Sequence, residues 1–116
     1  MAKPIGGTCY FKVDGVQLEL ASDDVTIDIQ ATEKKGVVAG YYTESDCIPS
    51  IEGEFVVPRS FPMQKILRMD NGTITVELKS GLTASLSGAY LADRAPVEGG
   101  KGTIKMKFEG TRGEWL

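Results

Sequence analysis

The 116-residue sequence has no histidine, only two cysteines and a single tryptophan. It also has no apolar run near the roughly 18 residues that a membrane-spanning helix requires. Without histidine the usual proton shuttle near neutral pH is missing, and no imidazole is available to complete a zinc set. Cys9 and Cys47 are too few for a disulfide framework. Cys9 alternates with Phe11 and Val13 and reads as a small buried hydrophobe. The opening Met1-Ala2-Lys3-Pro4-Ile5-Gly6-Gly7 lacks the apolar core of a signal peptide, so a flexible terminus over 1–7 and a cytoplasmic place of synthesis and assembly are expected.

Basic charge is scarce as well. The formal net charge is −3, whereas a sequestering nucleic-acid binder clusters Lys and Arg to displace counterions from phosphate. Residues 14–54 carry ten acidic side chains against Lys34 and Lys35, a balance of −8, and the remainder sums to +5. Chance and solvation account for such a division, as does an acidic surface meeting a basic one on a neighbouring copy.

What is present is alternation. Cys9 to Val13 and Val16 to Leu20 alternate around Asp14-Gly15, a strong two-residue hairpin signal. Asp24 to Gln30 places β-branched residues on one side and acid or amide on the other, the pattern of a half-buried strand. Ser50 to Val57 reads as a strand with Ile51, Phe55 and Val57 inside, stopped by Pro58, which cannot donate a ladder hydrogen bond. The period then changes. Ser60 is placed to cap a short helix with Met63, Ile66 and Leu67 on one face, ended by Asn71-Gly72.

Thr73 to Lys79 and Leu82 to Ala92 form a second hairpin about Ser80-Gly81, with Leu82, Ala84, Leu86 and Tyr90 on one side. A loop over 93–102 leads to a last strand, Gly102 to Glu109. The expectation is one mostly β domain over 1–116, an antiparallel sandwich or partly open barrel of about seven strands with one short flanking helix.

No pattern supports catalysis, a cofactor or a metal. Glu52 and Glu54 share a strand face at a spacing that a carboxylate pair can use, but it is the polar side of the alternation, where solvated acids are the rule. Asp23, Asp24 and Asp28 lack the spacing and bidentate Glu of an EF-hand loop. The glycines at 6, 7, 99, 100 and 102 do not lie between a strand and a helix in a phosphate-cradling pattern. A monomeric ligand-binding module would gather aromatics on one face, whereas Tyr10, Tyr41, Tyr42, Tyr90 and Trp115 are scattered.

One segment obeys neither period: Thr32 to Tyr42, TEKKGVVAGYY, with two valines and two tyrosines where a polar loop would suffice. Taken in order, GTCYFKVDGVQLEL, TEKKGVVAGYYTES, IEGEF, TITVELKSG and KFEG resemble the tail tube proteins of Mu-like contractile-tailed bacteriophages. The resemblance implies a non-enzymatic virion subunit, assembled into hexameric rings that stack into a DNA-conducting tube inside a contractile sheath. Its partners would be further copies of itself, the sheath protein, the tape measure protein and the baseplate hub, with DNA in non-specific transit and no membrane insertion. The tube of a type VI secretion system or a phage-tail-like bacteriocin is the neighbouring alternative.

On that resemblance, a projecting arm over about 31–48 uses Lys34, Lys35, Gly36, Val37, Val38, Gly40, Tyr41 and Tyr42 to pack on neighbouring subunits. The other possibility is a hairpin extension folded back on its own core. A bore that must not grip phosphate would be lined by carboxylates, for which Glu19, Asp28, Glu52, Glu54 and Glu77 are the candidates. Lys105 and Lys107 are candidates for a basic face between subunits.

Overall fold

A computed structural model describes residues 9–22 and 24–116, so the expected flexible terminus and Asp23 lie outside the described residues. The first element grows from a turn. Asp14 and Gly15 both adopt positive φ, 49° and 84°, the backbone that a tight two-residue hairpin demands. They join β1 (Tyr10–Val13) to β2 (Val16–Leu18). Asp14 also ties the hairpin sideways. Its backbone N–H donates to the Thr73 carbonyl at 2.9 Å, and its Oδ1 accepts from the Thr73 N–H at 2.8 Å.

Eleven strands and one helix follow among the described residues, where about seven strands were expected. The remaining strands are β3 (Thr26–Asp28), β4 (Thr32–Val38), β5 (Tyr41–Asp46), β6 (Ser50–Val56), β7 (Gly72–Glu77), β8 (Thr83–Ala92), β9 (Val97–Glu98), β10 (Thr103–Glu109) and β11 (Arg112–Trp115). The excess has identifiable sources: TEKKGVVAGYY is itself a hairpin, β9 lies in the expected loop, and β11 follows the strand taken as last.

All pairing is antiparallel. The main sheet runs β2-β1-β7-β8-β10-β6-β3, with β11 also on β8 and β9 on β10. Strand β8 is its spine. Ala84 to Ser87 pair with β11, residues 83–89 with β7, and Tyr90 to Ala92 with β10. The sheet curls until Leu20, just past β2, makes a single bridge to Phe55 of β6, and the barrel stays open.

The two halves face each other across apolar residues from both. Phe11 of β1 meets Phe55 of β6 edge-on, with centroids 4.7 Å apart, and lies 6.0 Å from Phe108 of β10. Around them Ile51, Ile74, Val76, Leu86, Ile104 and Met106 are buried. Short α1 (Met63–Leu67) lays Ile66 into this core. A helix of one turn has no stability of its own and depends on that packing.

Three expected details change. Pro62, not Ser60, stands at the helix N-cap with no side-chain cap bond, and Leu67 is half exposed because one turn can bury only one position. Gly72 opens β7 with no left-handed backbone. Its missing side chain makes room for Met69, whose sulfur would collide with a Cβ there. In β8, Gly88 at φ 64° is an extra residue opposite the step from Gly72 to Thr73. The bulge shifts the alternation by one, so Ala89 points inward and Tyr90 outward. Leu82 precedes the strand and is also exposed.

Candidate assembly interface

Strands β4 and β5 form a separate two-stranded sheet. Pairing runs from Thr32 opposite Asp46 to Gly36 opposite Tyr42, skips Val37, and ends at Val38 opposite Tyr41. Ala39-Gly40 makes the turn, with Gly40 at φ 85°. The skipped residue and the exposure of both faces explain why the sequence shows no period here. At the root, the Cys47 N–H donates to the Ala31 carbonyl at 2.8 Å, and the Gln30 amide donates to the Thr32 carbonyl at 2.7 Å.

Every residue from Glu33 to Asp46 is exposed. Val37 is 65% exposed, Val38 63%, Tyr41 72% and Tyr42 57%. The segment is therefore a hairpin standing off the body, and not one folded onto the core. The radius of gyration is 16.0 Å, above the roughly 13 Å typical of a domain of this length. Lys34 lies 5.2 Å from the Tyr42 ring centroid and opposite Glu44. An isolated two-stranded hairpin is marginal in water unless a third strand or a packing surface joins it. None of the described elements supplies either.

The candidate acids divide into three places. Asp28, Glu52 and Glu54 lie on the outer face of β3 and β6, and Lys105 and Lys107 of β10 stand directly opposite Glu54 and Glu52. Lys105 Nζ comes to 4.0 Å of Glu54 Oε2. Acids and lysines thus alternate on one face. Glu77 lies on the other half, opposite Tyr10 and Thr83. That outer face also bears Thr73, Thr75, Ser85 and Ser87, with Lys12 of β1 opposite Thr75 and Arg112 and Glu114 of β11 opposite Ser87 and Ser85, so hydroxyls there are interspersed with both signs of charge.

Glu19 is apart from both, at the far end of β6, where its carbonyl accepts the Val56 N–H at 2.9 Å. Here Val16, Gln17, Leu18 and Glu19 form one wall of a groove of about 320 Å³, and Pro58, Ser60, Phe61 and Pro62 form the other. Pro58, expected only to stop a strand, is thus part of a surface as well. The hairpin root and this groove are at opposite ends of β6, separated by seven residues, or roughly 23 Å of strand. A second exposed apolar group comprises Leu82, Trp115 and Leu116, with the Leu116 N–H donating to the Thr83 carbonyl at 2.8 Å.

No group of three or more Cys, Asp or Glu among the described residues could hold a metal ion. Asp24 and Asp28 make no such cluster. No helix among the described residues is long and apolar enough to cross a membrane.

A family model described as phage tail tube protein matches residues 2–115. Among solved structures, the sheath/tube terminator of the extracellular contractile injection system PVC is similar at 14% identity and a TM-score of 0.67, covering 100% of this chain and 97% of that one. The sheath–tube complex of the same system aligns at 14% identity and 0.63, covering 99% and 91%. Hcp1 from Flavobacterium johnsoniae aligns at 11% identity and 0.64, covering 92% and 93%. At these identities the likeness is one of fold. A search of curated proteins finds no match to the sequence.

Proposed function

We propose, from the premise that this chain belongs to the phage tail tube protein family, that it is a non-enzymatic structural subunit which assembles with its own copies into hexameric rings. The rings stack into a hollow tube through which DNA leaves the virion, inside a contractile sheath. Tape measure and hub proteins complete the tail, which is assembled in the host cytoplasm. The ordered sequence segments favour a Mu-like contractile-tailed phage. The observation that carries the assembly reading is the hairpin from Thr32 to Asp46, exposed along its length and lacking a third strand. Val37, Val38, Tyr41 and Tyr42 become buried when neighbours pack on it.

The channel surface follows from the same need. A wall that lets DNA slide has to avoid binding phosphate, and either outer face meets that requirement. One balances Asp28, Glu52 and Glu54 against Lys105 and Lys107, and the other balances Glu77 and Glu114 against Lys12 and Arg112 among hydroxyls.

The test is assembly. Purified protein at raised concentration is expected to give rings or tubes in negative-stain micrographs, whereas a strictly monomeric species at every salt and protein concentration would refute the proposal. A second reading is favoured by the contractile injection system among the similar folds: the tube of a secretion system or of a phage-tail-like particle in place of a phage tail. Native particles isolated with a DNA-filled head support the first reading, and headless particles support the second.

A further inference from the structure

If the hairpin is an arm between subunits, the reading on which this step rests, then it needs a receiving surface on the next copy. A hairpin without a third strand and a sheet edge without a neighbour are complementary defects. Strand β2 ends the main sheet and is paired on one side only, to β1. Its open side forms part of the groove with Pro58, Phe61 and Pro62. Val16 there is exposed and Phe61 half-buried, so the groove is apolar and accessible, and Glu19 places one carboxylate at it.

The arm carries the opposite pattern. Its tip is Val37, Val38, Tyr41 and Tyr42; just before it Lys34 stands opposite Glu44, whereas Lys35, on the other face, stands opposite uncharged Thr43. An apolar tip with one adjacent cation that lacks an acid across the hairpin matches an apolar groove with an adjacent anion. The placement also closes only between copies. The arm leaves from the Ser50 end of β6 and the groove opens at the Val56 end, so a chain cannot fill its own groove with its own arm without crossing its body. Joining unlike patches at opposite ends is head-to-tail association, which propagates in one direction.

The geometry points to the groove between β2 and Pro58–Pro62 as the docking site for the hairpin tip of a second copy, with Glu19 facing that copy's Lys35. The tip adds strand pairing along β2 and buries its valines and tyrosines against the prolines and Phe61. Glu19 is then a contact residue between subunits and not part of a channel wall.

Two measurements on the full chain test this. The first is charge reversal. Glu19→Lys alone and Lys35→Glu alone should each raise the protein concentration needed for assembly about tenfold or more, while the double variant returns to within about threefold of the original protein. Effects that simply multiply in the double variant overturn the pairing. The second is a benzophenone amino acid introduced at exposed Ser60, followed by irradiation of assembled material and peptide mapping. Cross-links to residues 37–42 of another copy are expected. Cross-links to residues 1–8, or to Leu82, Trp115 and Leu116, place a different occupant in the groove and overturn the inference, as does the absence of any cross-link together with multiplicative charge effects. Assembly that is lost on removing the arm but insensitive to both tests leaves the tube reading standing and removes this site alone. A chain that never assembles removes both.

Discussion

Excision of the hairpin tip separates folding from assembly. Replacing Lys34 to Tyr42 by Asn-Gly leaves Glu33 opposite Ser45 and closes the stump through a four-residue turn. None of the deleted residues belongs to the buried core, all are exposed, and their strand partners all lie within the same hairpin. Shortening a surface loop twofold changes closure entropy by only about 0.6 kcal/mol, in the stabilising direction. Folding free energy should therefore move by less than about 1 kcal/mol, read as the urea midpoint with unchanged slope.

Assembly loses far more. Full burial of a Val or aromatic side chain is worth about 1.5–3 kcal/mol. The four apolar tip residues are between 57% and 72% exposed, so each has roughly 1–2 kcal/mol left to gain and the tip about 4–8 kcal/mol before ordering costs. Each 1.4 kcal/mol is about a tenfold change in association. Single Tyr41→Ser or Tyr42→Ser variants should raise the assembly threshold roughly five- to thirtyfold on this reckoning, and the excision should abolish rings and tubes in light scattering and micrographs. Loss of more than about 2 kcal/mol of folding stability, or tubes of normal yield, would show that the segment belongs to the core or has no part in assembly.

Other substitutions probe the body. Phe11→Ala removes the ring packed between Phe55 and Phe108 and should lower unfolding free energy by about 3–5 kcal/mol in urea titration. Gly88→Val places a side chain at φ 64° and into the Thr111 hydroxyl, and a loss of about 2 kcal/mol or more is expected in the same titration. Lys105→Ala breaks a pair at 4.0 Å whose lysine is largely solvated, so the thermal midpoint should shift by only a degree or two, corresponding to about 0.5 kcal/mol at most.

The sequence was most readable where one local rule governs. Asp14-Gly15 announced its turn because few residue pairs tolerate two positive φ values in succession. The strands holding Ile51 and Phe55, Ile74 and Val76, and Ile104, Met106 and Phe108 announced themselves because one face is buried. The misses have non-local causes. Tyr90 falls in line with Ala84 and Leu86 because nothing in an alternating string reveals that Gly88 is an extra residue opposite the step from Gly72 to Thr73, and Leu82 falls in line because alternation does not mark where the strand begins. Strand β11 contains a glycine and is short, and it exists because Gly113 lets Ile29 and Pro49 approach from a distant part of the chain.

The arm lay in the reverse situation. Its composition marked it as unusual, and the resemblance to tail tube proteins suggested that it projects. The strand character was hidden because both of its faces are open to solvent. The groove escaped notice because its walls, Val16 to Glu19 and Pro58 to Pro62, lie some forty positions apart and meet only through the curl of the sheet.

The bulged strand β8 carries a mechanical implication. One unbroken backbone is hydrogen-bonded into both half-sheets, with its bend fixed at a single glycine, so the molecule contains no hinge between them. A load applied to either half passes directly to the other through peptide bonds and ladder pairs running side by side. Such a subunit yields as a whole or not at all, which is the stiffness required of masonry that must keep its bore open while whatever surrounds it shortens.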